Sequence, residues 1–266
     1  MKKMNFKFLA VLLVSLIAFS ACSDDDDSNS SSNQGKAKMS LKMVDAPGDY
    51  DEVNIDVEDI VIKYSGEENE VAFGEVNAGI YDLLELTGGA SVVLTDEEEI
   101  PAGNVSQIRL ILGDDNTIVV DGETFPLSTP SAQQSGLKLN LNTTLEEGIV
   151  YEYILDFDVE KSIVTQGNGG YSLKPVIRIN AVAETGRIAG SILPLNLSAL
   201  ITAENDTNEI STYSNSEGEF ELNGVPEGTY TLTIQPDANL DLEIQTLTDV
   251  EVVNGETTTV GEISFE

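Results

Sequence analysis

The sequence predicts an all-β fold of two tandem antiparallel β-sandwiches. Short segments in which apolar and polar residues alternate recur from residue 37 onward, separated by Gly, Asn, Asp, Ser and Thr. Aromatic residues make up 6% of the 266 residues and tryptophan is absent. Asp121-Gly122 lies between two alternating segments, which is a strong β-hairpin signal. Because an alternating strand must bury its apolar face on a second sheet, a sandwich is the simplest arrangement.

The first predicted domain covers residues 37–185. In its long second segment the alternation changes phase between Val57 and Ile60, which predicts a β-bulge or a bend. Residues 80–86 are the best helical candidate, although they equally suit an edge strand, and the acidic run 96–99 is predicted to be a solvated loop. The predicted strands are 37–43, 51–64, 91–95, 107–112, 117–120, 123–127, 136–141, 149–158 and 171–183.

The second predicted domain covers residues 186–266 and is expected to fold independently, joined to the first near residues 184–187. Its turn signals separate seven short segments at a spacing typical of a β-sandwich. The predicted strands are 187–193, 198–205, 209–215, 218–224, 228–235, 241–252 and 257–265.

Both domains resemble known families. The second carries the pattern G-x-I-x-G at Gly186–Gly190, S-E-G-E-F-x-L at Ser216–Leu222 and G-V-P-E-G-T-Y-T-L at Gly224–Leu232. These motifs resemble the carboxypeptidase regulatory-like domain, a seven-stranded transthyretin-like sandwich that confers no peptidase activity. The first domain carries V-D-A-P-G-D-Y at Val44–Tyr50 and Y-S-L-K-P-V-I at Tyr171–Ile177. It resembles a lipoprotein domain of unassigned function, and its sandwich is expected to be immunoglobulin-like.

The N-terminus resembles a bacterial lipoprotein signal. Residues 1–21 combine lysines, an apolar run and a small-residue cleavage site, with Phe19 where leucine is commoner. Cys22 is the predicted lipidation site, carrying fatty acyl chains such as palmitate, and residues 22–36 form an acidic, Ser-rich tether. The run Asp24–Asp27 resembles the surface-export signal of Bacteroidetes-type lipoproteins, although it also suits a solvated tether. The expected location is the outer membrane, lipid-anchored and exposed on the cell surface.

Composition excludes several functions. The formal charge is −34, and it would be −37 without residues 1–21, which hold three lysines and no acidic residue. Such a polyanion repels nucleic acid, so nucleic acid is not an expected partner. The absence of histidine excludes histidine-ligated metals and Ser-His-Asp or Cys-His catalysis. With Cys22 used for lipid, the chain has no cysteine left for a disulfide.

One acidic cluster could carry chemistry. Glu152, Asp156 and Asp158 share one face of the predicted strand 149–158, and alternate residues of a strand lie about 6.5–7 Å apart. Asp156 and Asp158, with Asp45 as a third ligand, are therefore a candidate calcium site. The alternatives are a solvated face of an antiparallel sheet and the paired carboxylates of a glycosidase. Apart from calcium, no cofactor is expected.

These observations predict a non-enzymatic surface lipoprotein that acts as a carbohydrate-binding or adhesin-like module. Its expected partners are the membrane, through the lipid anchor, and a glycan or a surface protein. The alternatives are a structural spacer or accessory subunit of a surface complex, and a glycan-active enzyme. Tyr50, Tyr171 and Tyr213 are the only candidates for stacking on a sugar.

Overall fold

A computed structural model describes residues 35–265 of the chain, apart from 47, 130–135 and 168. The predicted signal peptide, Cys22 and the tether up to residue 34 lie outside the described residues. The prediction of an all-β fold of sandwiches is confirmed, because strands dominate the described part of the chain and pair into four sheets. No helix among the described residues is long and apolar enough to cross a membrane.

The first sandwich contains thirteen strands among the described residues. They are β1 Lys36–Ala46, β2 Glu52–Tyr64, β3 Glu70–Ala72, β4 Gly79–Asp82, β5 Val92–Pro101, β6 Gly103–Leu112, β7 Thr117–Val120, β8 Glu123–Ser128, β9 Leu137–Leu145, β10 Val150–Asp158, β11 Ile163–Thr165, β12 Tyr171–Leu173 and β13 Ile177–Ala181. Sheet A, in the order β13-β10-β1-β5, packs on sheet B, in the order β11-β12-β8-β7-β2-β6-β9 with β3 and β4 paired to β2. A one-turn helix α1, Val159–Ser162, follows β10, and short 3-10 helices span Leu83–Leu86 and Val182–Glu184.

All seven strands predicted for residues 186–266 are present and form the second sandwich. They are β14 Thr185–Leu193, β15 Ala199–Glu204, β16 Glu209–Tyr213, β17 Glu219–Pro226, β18 Gly228–Pro236, β19 Gln245–Val252 and β20 Thr257–Ser264. Sheet C, in the order β17-β14-β20, packs on sheet D, in the order β16-β15-β18-β19, around a separate hydrophobic core. Gly186 is required by close packing, since a Cβ atom there would lie 2.4 Å from the carbonyl oxygen of Val253.

The strand pairing is mixed, not purely antiparallel as predicted. β1 pairs in parallel with β10, β8 with β12, and β14 with β20. The partners in each parallel pair are far apart in the chain, and a parallel pair needs a long crossover in place of a hairpin. The alternation of residues along a strand is the same in both arrangements, so it does not distinguish them.

Two local predictions are confirmed. The phase change in β2 coincides with a register shift between Val57 and Asp59 in its pairing with β6, as a bulge produces. The hairpin between β7 and β8 turns at Asp121 and Gly122, whose φ angles of 52° and 75° lie in the left-handed region. That backbone conformation explains the Asp-Gly pair.

The acidic run 96–99 is not a solvated loop. It continues strand β5, which pairs with β1 over this stretch. Lys36 donates a hydrogen bond of 2.6 Å to Glu99, and Lys38 one of 2.8 Å to Glu97. The two lysines of the neighbouring strand β1 therefore neutralise part of the negative charge on which the prediction of a loop rested. Residues 80–86 divide between β4 and a 3-10 helix.

Candidate functional site

The parallel register of β1 and β10 separates the carboxylates of the predicted calcium site. Asp45 lies opposite Phe157, while Asp156 lies opposite Val44. Because paired residues point to the same side of a sheet, Asp45 lies on the core face of sheet A and Asp156 on its outer face. Asp45 and Asp156 therefore belong to opposite faces of the sheet.

Asp45 is a buried carboxyl without a hydrogen-bond partner. It is 3% exposed, and neither carboxylate oxygen has a partner among the described residues. Burial, reinforced by the charge of Asp156, raises the pKa of Asp45 well above its usual value. The nearby backbone N–H of Val159, which favours the charged form, offsets only part of this effect. Asp45 therefore takes up a proton far more readily than an exposed aspartate.

Asp156 is buried in an ion pair. It is 3% exposed and accepts a 2.5 Å hydrogen bond from Nη2 of Arg178, its cross-strand neighbour on β13. Burial raises the pKa of Asp156 to about 6, because desolvation outweighs the opposing effect of Arg178. The predicted solvated face is therefore wrong at this position, where the second sandwich covers sheet A.

Asp158 ends β10 and caps helix α1. Its Oδ1 accepts a hydrogen bond of 3.0 Å from the backbone N–H of Lys161, and its Oδ2 lies 3.0 Å from the ammonium of the same residue. Both oxygens are thus engaged by Lys161. Within the described ranges, no group of three His, Cys, Asp or Glu side chains is arranged to hold a metal ion. The predicted calcium site of Asp45, Asp156 and Asp158 is not formed.

Two basic residues of the first sandwich hold the start of β16 in the second. Nη1 of Arg178 donates a 2.5 Å hydrogen bond to the backbone carbonyl of Glu209. The ammonium of Lys161 lies 3.3 Å from the Glu209 carboxylate. A third contact joins the backbone N–H of Gly88 to Oγ1 of Thr212 at 2.8 Å. We call these three contacts the junction contacts.

Beside them a cleft of about 340 Å³ opens between sheet A and sheet C. Its floor is the outer face of sheet A, where Val44 and Ile154 are buried. Its wall is formed by β14 and β17, and glycines at positions 89, 186, 224 and 255 leave space around it. The charged and amide side chains that line it are Lys42, Glu152, Arg187, Glu221 and Asn223. We call it the junction cleft.

None of the predicted stacking tyrosines forms an open platform. Tyr50 and Tyr171 are half-buried against the first core, and Tyr171 also makes an edge contact with Phe125 at 5.3 Å between ring centres. Tyr213, in β16, is half-buried as well. Every aromatic side chain in the described ranges is at least partly buried, so none of them offers a fully exposed ring to a sugar.

Sequence reasoning missed the basic residues of the junction. Arg178, Lys42 and Arg187 belong to the 13 basic residues in a chain with 47 acidic ones. Their scarcity was a signal in the sequence, because each basic residue in such a chain has many carboxylates with which it can pair. Cys22 lies outside the described residues, so its lipidation stays a prediction.

Comparison with known proteins identifies a family and no function. The family model described as "Domain of unknown function (DUF4382)" matches residues 36–175. No curated protein matches the chain.

Among solved structures, the Bacillus anthracis TIE protein is 14% identical, with a TM-score of 0.22, over 87% of this chain and 34% of that one. A leucine-rich repeat protein from Bacteroides thetaiotaomicron VPI-5482 is 13% identical, with a TM-score of 0.19, over 86% of this chain and 26% of that one. The chain thus spans about a third or less of these two proteins.

Proposed function

Because the chain belongs to the family described as "Domain of unknown function (DUF4382)", which names no activity, we propose its function from the sequence and the fold. It is a non-enzymatic lipoprotein, anchored through Cys22 in the outer membrane and exposed on the cell surface. It acts as a binding module for a carbohydrate. Residues 186–266 contribute one wall of the junction cleft as a carboxypeptidase regulatory-like domain.

The observation that carries the binding role is the junction cleft itself. Small-molecule sites are clefts of about 300–1,000 Å³, often located between domains. The cleft of about 340 Å³ falls within that range. The junction contacts of Arg178 and Lys161 join the two sandwiches between which the cleft lies, which reduces the ordering that a ligand must impose.

The geometry favours binding over catalysis. The cavity beside the two carboxyls with raised pKa values, Asp45 and Asp156, has a volume of about 10 Å³, enough for about one water molecule. Asp156 is already bound to Arg178. A glycosidase needs its two carboxylates on either side of a sugar linkage, and these two leave no space for one.

The anchor makes a direct prediction. A Cys22→Ser variant should leave the membrane fraction and appear as soluble protein, because two or more acyl chains are what hold a lipoprotein durably. Fractionation and immunoblotting measure this, and a Ser23→Ala variant serves as the control. On intact cells, added protease should degrade the unaltered protein. Membrane retention of Cys22→Ser after a high-salt wash, or full protection from protease, would contradict the proposed location.

The binding role predicts a carbohydrate ligand for the protein without its lipid. The full-length Cys22→Ser protein should retain neutral oligosaccharides in a glycan array and in isothermal titration calorimetry. For comparison, the same protein is screened for binding to a panel of host surface proteins, with and without calcium. Binding to none of the glycans would leave the structural spacer as the better assignment.

A further inference from the structure

The junction cleft is electrically balanced within a strongly acidic chain. Lys42 and Arg187 contribute two positive charges to its lining, and Glu152 and Glu221 contribute two negative charges. The chain as a whole carries −34. An anionic ligand therefore gains no net attraction here, and a cationic ligand gains only the general field of the protein.

The charged groups in the cleft are largely unused by the protein. Lys42 and Glu152 make no ion pair with any described residue, although they lie on neighbouring strands and on the same face of sheet A. Arg187 and Glu221 are 3.8 Å apart, which is too long for a hydrogen bond. The floor of the cleft thus presents an ammonium and a carboxylate, and its wall presents an ion pair whose two groups are not hydrogen-bonded to each other.

An aliphatic floor lies between these polar groups. Val44 and Ile154 are neighbours on β1 and β10, are both buried and lie on the outer face of sheet A. A ligand that suits this arrangement has one apolar face and a rim of hydroxyl groups that both donate and accept. A pyranose ring has this character, with C–H groups on one face and hydroxyls around its edge.

We infer that the junction cleft binds an uncharged saccharide, with its C–H face on Val44 and Ile154 and its hydroxyls bound by Lys42, Glu152 and the Arg187–Glu221 pair. This inference rests on the proposed carbohydrate-binding role and names its site and ligand class. Hydrogen bonds to charged groups are stronger than those between neutral groups. Loss of one such group should therefore weaken binding about tenfold or more.

The test uses the full-length Cys22→Ser protein, titrated with maltotriose, cellotriose, mannotriose and trigalacturonate. At least one neutral trisaccharide should bind, and Lys42→Met and Glu152→Gln should each raise its Kd about tenfold or more. Lys138→Met is the matched control, because Lys138 is exposed on β9 and makes no ion pair with the described residues. It should leave Kd unchanged, and all variants should keep the parent melting temperature.

The other outcomes are distinguishable. If a trisaccharide binds and both cleft variants leave its Kd unchanged, the carbohydrate role stands and the cleft assignment is overturned. If trigalacturonate alone binds, the cleft takes an anionic saccharide and the inferred uncharged ligand is overturned. If no saccharide binds, the proposed function itself fails.

Discussion

Replacing Arg178 with alanine should destabilise the protein by about 2–3 kcal/mol at pH 7.5. The buried carboxylate of Asp156 would lose its ion-pair partner, and the carbonyl of Glu209 would lose a donor. Removing one partner of a buried pair typically costs about 3–5 kcal/mol. Here we expect a smaller loss of stability. Because the pKa of Asp156 is already raised to about 6, its carboxyl can take up a proton and become neutral once Arg178 is gone.

The pH dependence of this loss identifies its cause. Burial raises the pKa of Asp156 to about 6, above the value of about 4 in an unfolded chain. The contribution of Asp156 to folding stability is therefore fully present below a pH of about 4. This contribution, about 3 kcal/mol, is lost as the pH rises through 6. At pH 5 Asp156 is largely protonated with or without Arg178, so Arg178→Ala should cost only about 1–2 kcal/mol there.

Urea unfolding of the Cys22→Ser protein at pH 5 and pH 7.5 measures both values. Lys174→Ala is the control, because Lys174 is an exposed basic residue near Arg178 that has no ion pair with the described residues. Adding Asp156→Asn to Arg178→Ala should recover most of the loss at pH 7.5, as a double-mutant cycle detects. Equal losses at both pH values would exclude Asp156 as the titrating group.

Much of the fold follows from local patterns. The phase change in β2, the Asp121-Gly122 turn and the seven strands of the second sandwich could be predicted because each signal lies within a few neighbouring residues. Strands β3 and β11 could not, since three residues are too few to show alternation. Strand β5 extends through residues 96–99 because of lysines about sixty residues away, and no local pattern reveals such a contact.

The predicted site failed for a reason that was partly visible in the sequence. Asp45 is two residues after Met43, in phase with the apolar alternation of β1, so the pattern already placed it on the core face. Ile154 shares its face with Asp156, which indicated that this side of the strand is not fully solvated. Which element covers it, and the parallel register that separates the carboxylates, depend on tertiary contacts.

Replacing Asp45 with asparagine should stabilise the protein at pH 8 and have little effect at pH 4. The raised pKa of Asp45 means that its contribution to folding is fully present below the unfolded value of about 4 and is lost as the pH rises. At pH 8 the folded protein bears the cost of a buried carboxyl that accepts no hydrogen bond from any described residue. A buried unsatisfied group costs about 1–3 kcal/mol, and more when it is charged.

Asparagine keeps the shape of the side chain and cannot ionise. The gain in stability should therefore appear only above a pH of about 4, where an aspartate in the unfolded chain loses its proton and the buried Asp45 does not lose it readily. Thermal unfolding of the Cys22→Ser protein from pH 4 to pH 8 should show the two melting curves separating as the pH rises. Asp49→Asn is the matched control, being the same substitution at an exposed position four residues away. A uniform loss of stability at every pH would mean that the carboxyl of Asp45 makes a bond that the amide cannot replace.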